Sequence, residues 1–345
     1  MRIVNFISGK DIGGPKQSFL LYSKILRSYN YDVISIIRKG AKLVKELEKE
    51  NLAYKEIDYL RTTIPLFFSF SIKKIKKTLE PYNADIIIVH KQIDIELVRK
   101  AFPKSKIIGV IHGFNAKHIE GADALFAVSK KVKEFLLKNG YKKEVYIVPN
   151  MIENTTPVRF KNFSRPVQIG SMGVFRRKKG FHILIKALGI LRAEGVVFKA
   201  KIAGRGLRRF VYYYLRFKYK LQKHLEILPW ILSEKREEFF DSLDIYIMPS
   251  RTESFGMVVA EAMGRAKIVV STKCGGPEEI IDNEVNGILV ENQNPKALAL
   301  AIKKVLERDD IITLQKNAYE KAIKEYSIKS VGVKIDNLLK KITDG

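Results

Sequence analysis

Two glutamates eight residues apart, Glu253 and Glu261, frame a segment whose residue types could bind a hydroxyl-rich anion. Between them, Ser254-Phe255-Gly256 opens a run of helix formers from Met257 to Met263. The unpaired backbone amides at such a helix start favour an anion such as a diphosphate. Two carboxylates beside those amides are poorly placed to bind phosphate themselves. They are well placed to accept hydrogen bonds from hydroxyls of a sugar or a ribose. An isolated pair of this kind reads as a solvated helix surface. Here PSRTESFG precedes the helix and GGPEE follows it, so the pair stands in a richer setting.

The elements that must position these groups are short and alternating. Asp244 to Met248 is an apolar run of strand length closed by Pro249-Ser250, and Ile268 to Ser271 is the next buried strand. Gly275-Gly276-Pro277 then turns into a further helix from Glu278. Units of strand, loop and helix side by side imply a parallel sheet, which binds ligands at the carboxyl ends of its strands.

The same alternation opens the chain. Arg2 to Ile7 reads as a strand, Gly13-Gly14-Pro15 as a turn, Lys16 to Ser28 as a helix and Asp32 to Ile37 as a second strand. Phe19, Tyr22 and Leu26 have the spacing of one apolar helix face. A full G-x-G-x-x-G is missing, so dinucleotide binding is not supported. Helices over 42–50 and 71–79 and a strand over 54–57 continue the pattern. His90 ends the strand Ile86–Val89 and His112 ends the strand Ile107–Ile111, at sheet edges where site residues collect, although a lone histidine there is more often structural. In the second half, the strand 167–172 leads into Gly173 to Leu188, GVFRRKKGFHILIKAL, a basic loop before a helix.

ESFGMVVAE resembles the E-x7-E motif of the family 4 retaining glycosyltransferases, and GGPEEII and NGILV are similar to the segments that follow it in that family. The resemblance covers most of the chain. It implies an α/β protein of the GT-B fold: two Rossmann-like parallel-sheet domains facing a cleft, with the last helix crossing back to the first. The boundaries it gives are an acceptor-side domain over 1–150, a linker over 151–165, a nucleotide-sugar-binding domain over 166–326 and the closing helix over 327–345. By the same resemblance Glu261 would hold the ribose hydroxyls, and Glu253 with Ser254, Phe255 and Gly256 the donor sugar and phosphates. Lys179-Gly180 match the family's K-G, so Lys179 would meet the donor diphosphate as a point charge. The family's arginine falls on Val174, and Arg176 or Arg177 would supply a two-pronged contact instead; Arg177 is taken as the donor-binding one. Gly14 resembles part of an N-terminal glycine loop whose amides face the diphosphate or the acceptor. IHGF resembles the position whose histidine, here His112, lies near the reacting sugar. His112, Glu253 and Lys179 are thus the expected catalytic residues. The implied activity is hexosyl transfer from a nucleotide-diphosphate-sugar, a UDP-sugar, to a glycan or glycolipid of the cell envelope such as lipopolysaccharide. The nucleotide-sugar is a substrate, and no cofactor or metal is expected, there being neither a DxD-type motif at a strand end nor a His/Cys grouping. Two other readings use the same fold: a nucleotide-sugar epimerase, and a non-catalytic protein that binds polyanions or membranes.

Composition bounds these readings. The 345 residues suffice for two domains, and 46% hydrophobic content marks a globular chain. One cysteine, Cys274, excludes an internal disulfide and reads as a small buried residue at a strand end. The apolar run Met1–Ile7 is too short for a signal core, and Thr63–Ile72 is about half a bilayer span, so a soluble cytoplasmic protein is expected. Lys and Arg number 63 against 37 Asp and Glu, a net +26 that attracts polyanions.

Two stretches suit an anionic membrane as a partner. Phe67, Phe68 and Phe70 precede Lys73, Lys74, Lys76 and Lys77, although a core face backed by a solvated one explains them equally. Between Arg205 and Lys223 stand seven basic residues and no acidic one, interleaved with Phe210, Tyr212, Tyr213, Tyr214, Phe217 and Tyr219. Such a helix could hold single-stranded nucleic acid or sit among lipid headgroups. Contact with an anionic surface is the favoured reading, and nucleic acid is not expected as a partner.

Overall fold

The computed structural model describes residues 1–10, 13–60, 65–154, 156–232 and 235–344, with the side chains of 65–67 and 344 left aside. Part of the apolar run at 63–72, including the Phe67 side chain, therefore lies outside the described residues. The chain forms two compact units, 1–151 with 328–345, and 152–327.

The first unit is a seven-stranded sheet in which every adjacent pair is parallel. Its strands are β1 (Arg2–Ile7), β2 (Asp32–Arg38), β3 (Tyr54–Ile57), β4 (Ile86–Val89), β5 (Lys106–Ile111), β6 (Ala124–Ala127) and β7 (Glu144–Ile147), in the order β3-β2-β1-β4-β5-β6-β7. The order reverses between β1 and β4, which opens a crevice at their carboxyl ends. Helix α1 (Gly14–Ser28) begins two residues earlier than its apolar spacing predicts, because Pro15 fits the first turn, where no amide hydrogen bond is lost. Its Phe19, Tyr22 and Leu26 are buried as the spacing requires. Helix α2 (Val44–Lys49) is shorter than expected, and α3 (Pro65–Leu79) takes up much of the apolar run before Ser71. Helix α4 (Gln92–Ala101) escapes the sequence reading. Ile93, Ile95 and Leu97 alternate like a strand, and the helical period shows in the buried set Asp94, Ile95, Leu97, Val98 and Ala101. Helix α5 (Lys130–Lys138) is capped by Ser129, whose hydroxyl accepts from the Val132 amide at 3.2 Å.

The second unit carries six parallel strands: β8 (Val167–Val174), β9 (Phe198–Arg205), β10 (Leu225–Leu228), β11 (Ile245–Met248), β12 (Ile268–Thr272) and β13 (Ile288–Val290), ordered β10-β9-β8-β11-β12-β13. Its reversal point lies between β8 and β11. The helices are α6 (Phe181–Ala193), α7 (Arg209–Lys218), α8 (Arg236–Asp241), α9 (Met257–Gly264), the four-residue α10 (Pro277–Ile280), α11 (Pro295–Leu306) and α12 (Ile311–Tyr326). A single core joins α6, α7 and α11 to the sheet through residues such as Phe181, Leu188, Tyr212, Ile247, Val270 and Ile302. The polar segment 156–165 is held on this unit rather than loose. Arg265 pairs with Asp241 at 2.5 Å and donates to the Thr156 carbonyl at 2.7 Å, while Asp244 accepts from the Ser164 and Gln168 amides.

The last helix, α13 (Ile328–Asp344), belongs to the first unit, as the GT-B resemblance implies. Val331, Ile335 and Leu339 bury one stripe with Tyr22, Ile25 and Leu26 of α1. Gly332 allows the approach: a Cβ there would meet Ile25 Cδ1 at 2.3 Å.

Candidate functional site

The carboxyl ends of β8, β11 and β12 bring together the residues singled out in the second half of the sequence. The loop after β8 carries Lys179, and the loop after β11 carries Glu253. Lys179 Nζ donates to Glu253 Oε1 at 2.5 Å, and Ser250 Oγ donates to the same oxygen at 2.8 Å. This pair therefore stands at the point where the strand order reverses, where open parallel sheets bind ligands.

Glycines set this geometry through backbone approach. Gly180 adopts φ +68, and a Cβ on it would fall 1.6 Å from the Pro249 carbonyl oxygen. The two loops are further tied by the Arg251 amide donating to the Lys178 carbonyl at 2.7 Å. On the other side, the Glu253 amide donates to the Cys274 carbonyl and the Gly276 amide to the Glu253 carbonyl, each at 2.8 Å. A Cβ on Gly276 would come within 2.2 Å of the Phe255 oxygen. Only the glycine pair lets the β12 turn lie against the Glu253 loop.

Gly256, at φ +100, leads into α9, whose first turn contains no acidic side chain. The first amides of α9 thus keep their attraction for an anion. Phe255 is buried and meets the Tyr326 ring edge-on, so only its backbone is placed to touch a ligand. Ser254 is half-buried. Glu261 lies in the second turn of α9 and is paired with Arg236 of α8. The sequence offers no signal for Arg236: it stands 25 residues upstream and reaches Glu261 through its long side chain, from α8 to α9. Ser250 was likewise visible only as part of PSRTESFG.

Val174, at the family's arginine position, closes β8. Arg176 and Arg177 follow it, both exposed. His182, one residue into α6, is held below its ordinary range mainly by burial, and then by the positive charges of Arg208, Lys186, Arg177 and Arg251. The charges of Arg208 and Arg251 thus join those of Lys186 and Arg177 around His182, three residues beyond Lys179, a gathering that sequence distance conceals. Cys274 is buried, and burial together with the Glu253 charge pushes its thiol up to about 12, which fits its reading as an inert core residue. Among the described residues no group of three or more His, Cys, Asp or Glu side chains could hold a metal ion.

His112 and Gly14 belong to the first unit. Gly14 is the exposed first residue of α1. His112 follows β5 and is part of a chain of hydrogen bonds that fixes its protons. Asn5 Nδ2 donates to the Phe19 carbonyl at 3.1 Å, and since a carbonyl can only accept, Asn5 Oδ1 is the end facing His90 Nε2 at 2.9 Å. His90 Nε2 therefore carries a proton, and its Nδ1 accepts from His112 Nε2 at 3.2 Å. The His112 lone pair is then on Nδ1. Burial, with the Lys91 charge adding, pulls His112 down to about 3, against a hydrogen bond with Asn150 that raises it. His90 is likewise held well below its ordinary range, first by burial and then by the neighbouring His112. His112 is thus a neutral ring of one tautomer, and His90, read from sequence as structural, sets that tautomer.

Residues 154–325 match the family model described as glycosyl transferases group 1. The chain is 26% identical over 293 residues to the putative colanic acid biosynthesis glycosyltransferase WcaL of Escherichia coli K12, covering 75% of this chain and 71% of that one. It is 22% identical over 344 residues to the lipopolysaccharide core biosynthesis glycosyltransferase LpsE of Rhizobium meliloti, covering 96% of each. The crystal structure of Anabaena HepE in complex with UDP-glucose superposes with a TM-score of 0.83 at 18% identity, covering 99% of this chain and all of the other. The two-unit parallel-sheet fold is therefore that of GT-B glycosyltransferases.

Proposed function

We propose, from the match of residues 154–325 to the glycosyl transferases group 1 model and the likeness to the two bacterial glycosyltransferases, that the chain is a glycosyltransferase of that group and moves a hexosyl group from a UDP-sugar to a glycan or glycolipid acceptor of cell-envelope polysaccharide or lipopolysaccharide. The observation that carries this reading is the Lys179–Glu253 pair at the reversal point of the second sheet, beside the amides that open α9. A diphosphate arriving there is met by the Lys179 ammonium and the free amides of the α9 start. Arg177, two residues before Lys179, adds a fork, so that charge growing on the leaving diphosphate is stabilised by groups already in place. Among the described residues the two side-chain contacts of Glu253, from Lys179 and Ser250, fall on Oε1, and Oε2 is the acceptor assigned to a hydroxyl of the donor sugar. Glu261, oriented by Arg236, takes the ribose hydroxyls.

His112 keeps the role that the IHGF resemblance gives it, toward the sugar being transferred. A neutral imidazole offers a hydroxyl hydrogen bond without placing a second positive charge near an oxocarbenium-like centre. Transfer proceeds with retention and without metal or other cofactor in this reading, the diphosphate charge being met by side chains and amides. Gly14 contributes backbone at the first unit's ligand edge. We place the protein in the cytoplasm, working beside an anionic membrane face that presents a glycolipid acceptor. No described helix is long and apolar enough to cross a membrane.

A thermal-shift panel of UDP, GDP, ADP, dTDP and their sugar conjugates tests the donor site, with Glu261→Ala alongside. A nucleotide at a hundred times its dissociation constant adds about 2.7 kcal/mol, which raises the midpoint by several degrees. Stabilisation by uridine compounds that the variant loses is the expected outcome. A panel in which no nucleotide shifts the midpoint would refute the donor reading.

A further inference from the structure

Helix α7 carries two apolar stripes on opposite faces. Tyr212 and Leu215 point into the second unit's core, with Tyr219 beyond the helix end packed over Gly189. The other set is Leu207, in the turn just before the helix, and Phe210, Tyr214 and Phe217, which are four and three residues apart and share one helix face. Their exposures are 88%, 76%, 61% and 72%. Scattered exposed apolar residues are ordinary, but a contiguous stripe of large side chains marks a surface that something covers.

The charge around the stripe says what that is. Seven arginines and lysines and no acidic residue lie between 205 and 223. Arg209 is stacked at 5.6 Å from the Tyr213 ring centre, and Lys218, Lys220 and Lys223 are exposed. A second copy of the chain would set basic flank against basic flank in a two-fold contact and be repelled. Single-stranded nucleic acid would use stacking rings in a positive groove. Here the outermost positions include an aliphatic Leu207, and the stripe runs along a convex helix rather than a groove. Apolar side chains on one face, basic ones beside them and tyrosines between are instead the pattern of a helix lying at a lipid headgroup layer.

We infer that α7 is a membrane-docking element, which inserts Leu207, Phe210, Tyr214 and Phe217 at the boundary of an anionic bilayer while Arg216, Lys218, Lys220 and Lys223 meet lipid phosphates. This deepens the proposed use of a glycolipid acceptor, yet docking needs no nucleotide-sugar and is measured without one. It lies on the nucleotide-binding unit, so membrane contact and donor binding share one rigid part of the chain.

The chain has one tryptophan, Trp230, whose ring stacks 4.9 Å from the Arg205 guanidinium just ahead of α7. It serves as a built-in reporter. The intact protein is mixed with vesicles of phosphatidylcholine alone or with phosphatidylglycerol, in cosedimentation and in Trp230 fluorescence with bromine-labelled lipid. Phe210→Ser/Phe217→Ser alters two exposed positions, and unchanged melting and unchanged uridine-nucleotide stabilisation show that the fold and donor site are intact. The expected result is binding to the anionic vesicles with quenching of Trp230, a loss of about tenfold or more in the double variant, and a loss of anionic preference in Lys218→Glu/Lys223→Glu. Equal binding by the wild type and the double serine variant would overturn the inference, as would no binding to either vesicle. Tight, salt-steep binding to poly(U) with no vesicle binding would assign the surface to nucleic acid instead. Nucleotide stabilisation without vesicle binding would sink the docking element alone; vesicle binding without nucleotide stabilisation would sink the donor reading alone.

Discussion

Replacing Gly180 by alanine separates backbone strain from the close approach that builds the site. Gly180 and Gly195 both adopt a left-handed backbone, φ +68 and +76, at opposite ends of α6. An alanine at either position costs about 1–2 kcal/mol for that conformation. The surroundings differ. A Cβ at Gly195 meets nothing within 4 Å, whereas one at Gly180 would lie 1.6 Å from the Pro249 carbonyl oxygen, which cannot swing aside like a side chain. Overpacking adds about 1–3 kcal/mol, so Gly180→Ala should lose about 2–5 kcal/mol in all. For a unit of this size each kcal/mol moves the midpoint by roughly 2–4 °C. Thermal unfolding should therefore place Gly195→Ala a few degrees below wild type and Gly180→Ala well below that. To relieve the clash, the loop after β8 must draw back from the loop after β11, carrying Lys179 away from Glu253. UDP affinity, measured by calorimetry below the unfolding range, should fall about tenfold, as for the loss of one charged hydrogen bond, and stay unchanged in Gly195→Ala. Equal midpoints for the two variants, or unaltered nucleotide affinity in Gly180→Ala, would refute the argument that this approach builds the site.

Other perturbations read out the buried charges. Lys267 is buried, and burial draws it from 10.5 down to about 8. At pH 7 it is charged in both folded and unfolded chains, so folding carries the penalty, about 3 kcal/mol. Lys267→Met should stabilise the protein by up to that amount at neutral pH, and the gain should shrink as pH rises from 8 toward 10.5, which chemical denaturation at several pH values will show. His112 has its folded value near 3 against an ordinary 6.5, so it stays neutral in the folded state while the unfolded chain takes up a proton as pH falls below 6.5. Its contribution to stability is therefore complete above that value and is lost on acidification toward 3. Nitrogen NMR should show no titration of His90 or His112 between pH 5 and 8, with the His112 proton on Nε2. Asn5→Leu, which removes the acceptor for His90, should disturb that tautomer.

The strands and the Glu253–Glu261 segment are legible in the sequence because their physics is local. Apolar runs of strand length end at Pro249 and Gly275, and the amides that open α9 follow directly from Ser254-Phe255-Gly256. What escaped is tertiary. Arg236 reaches Glu261 across 25 residues of sequence, from one helix to another, and Asn5, His90 and His112 come from three different strands or strand ends whose order only the sheet reveals. Helix α4 was hidden by an accidental alternation of Ile93, Ile95 and Leu97. For α7 the aromatic and basic pattern was plain, but periodicity gives two apolar stripes and cannot say which one faces the core. The exposures of Phe210 and Phe217 decide that. The Phe68 region resolves less sharply: Lys100 Nζ sits 4.4 Å from the Phe68 ring centre, while Phe70 remains exposed.

Calorimetric titration of UDP into the wild type and Lys179→Gln tests the central claim most directly. The substituted glutamine keeps a hydrogen-bonding side chain of similar reach and removes the charge that faces the diphosphate. Affinity should fall about tenfold or more, in keeping with the loss of a charge-assisted contact, and the salt dependence of binding should flatten. Identical affinity and salt dependence in the two proteins would contradict the account, because the Lys179–Glu253 pair would then be an ion pair of the fold and not the seat of a diphosphate.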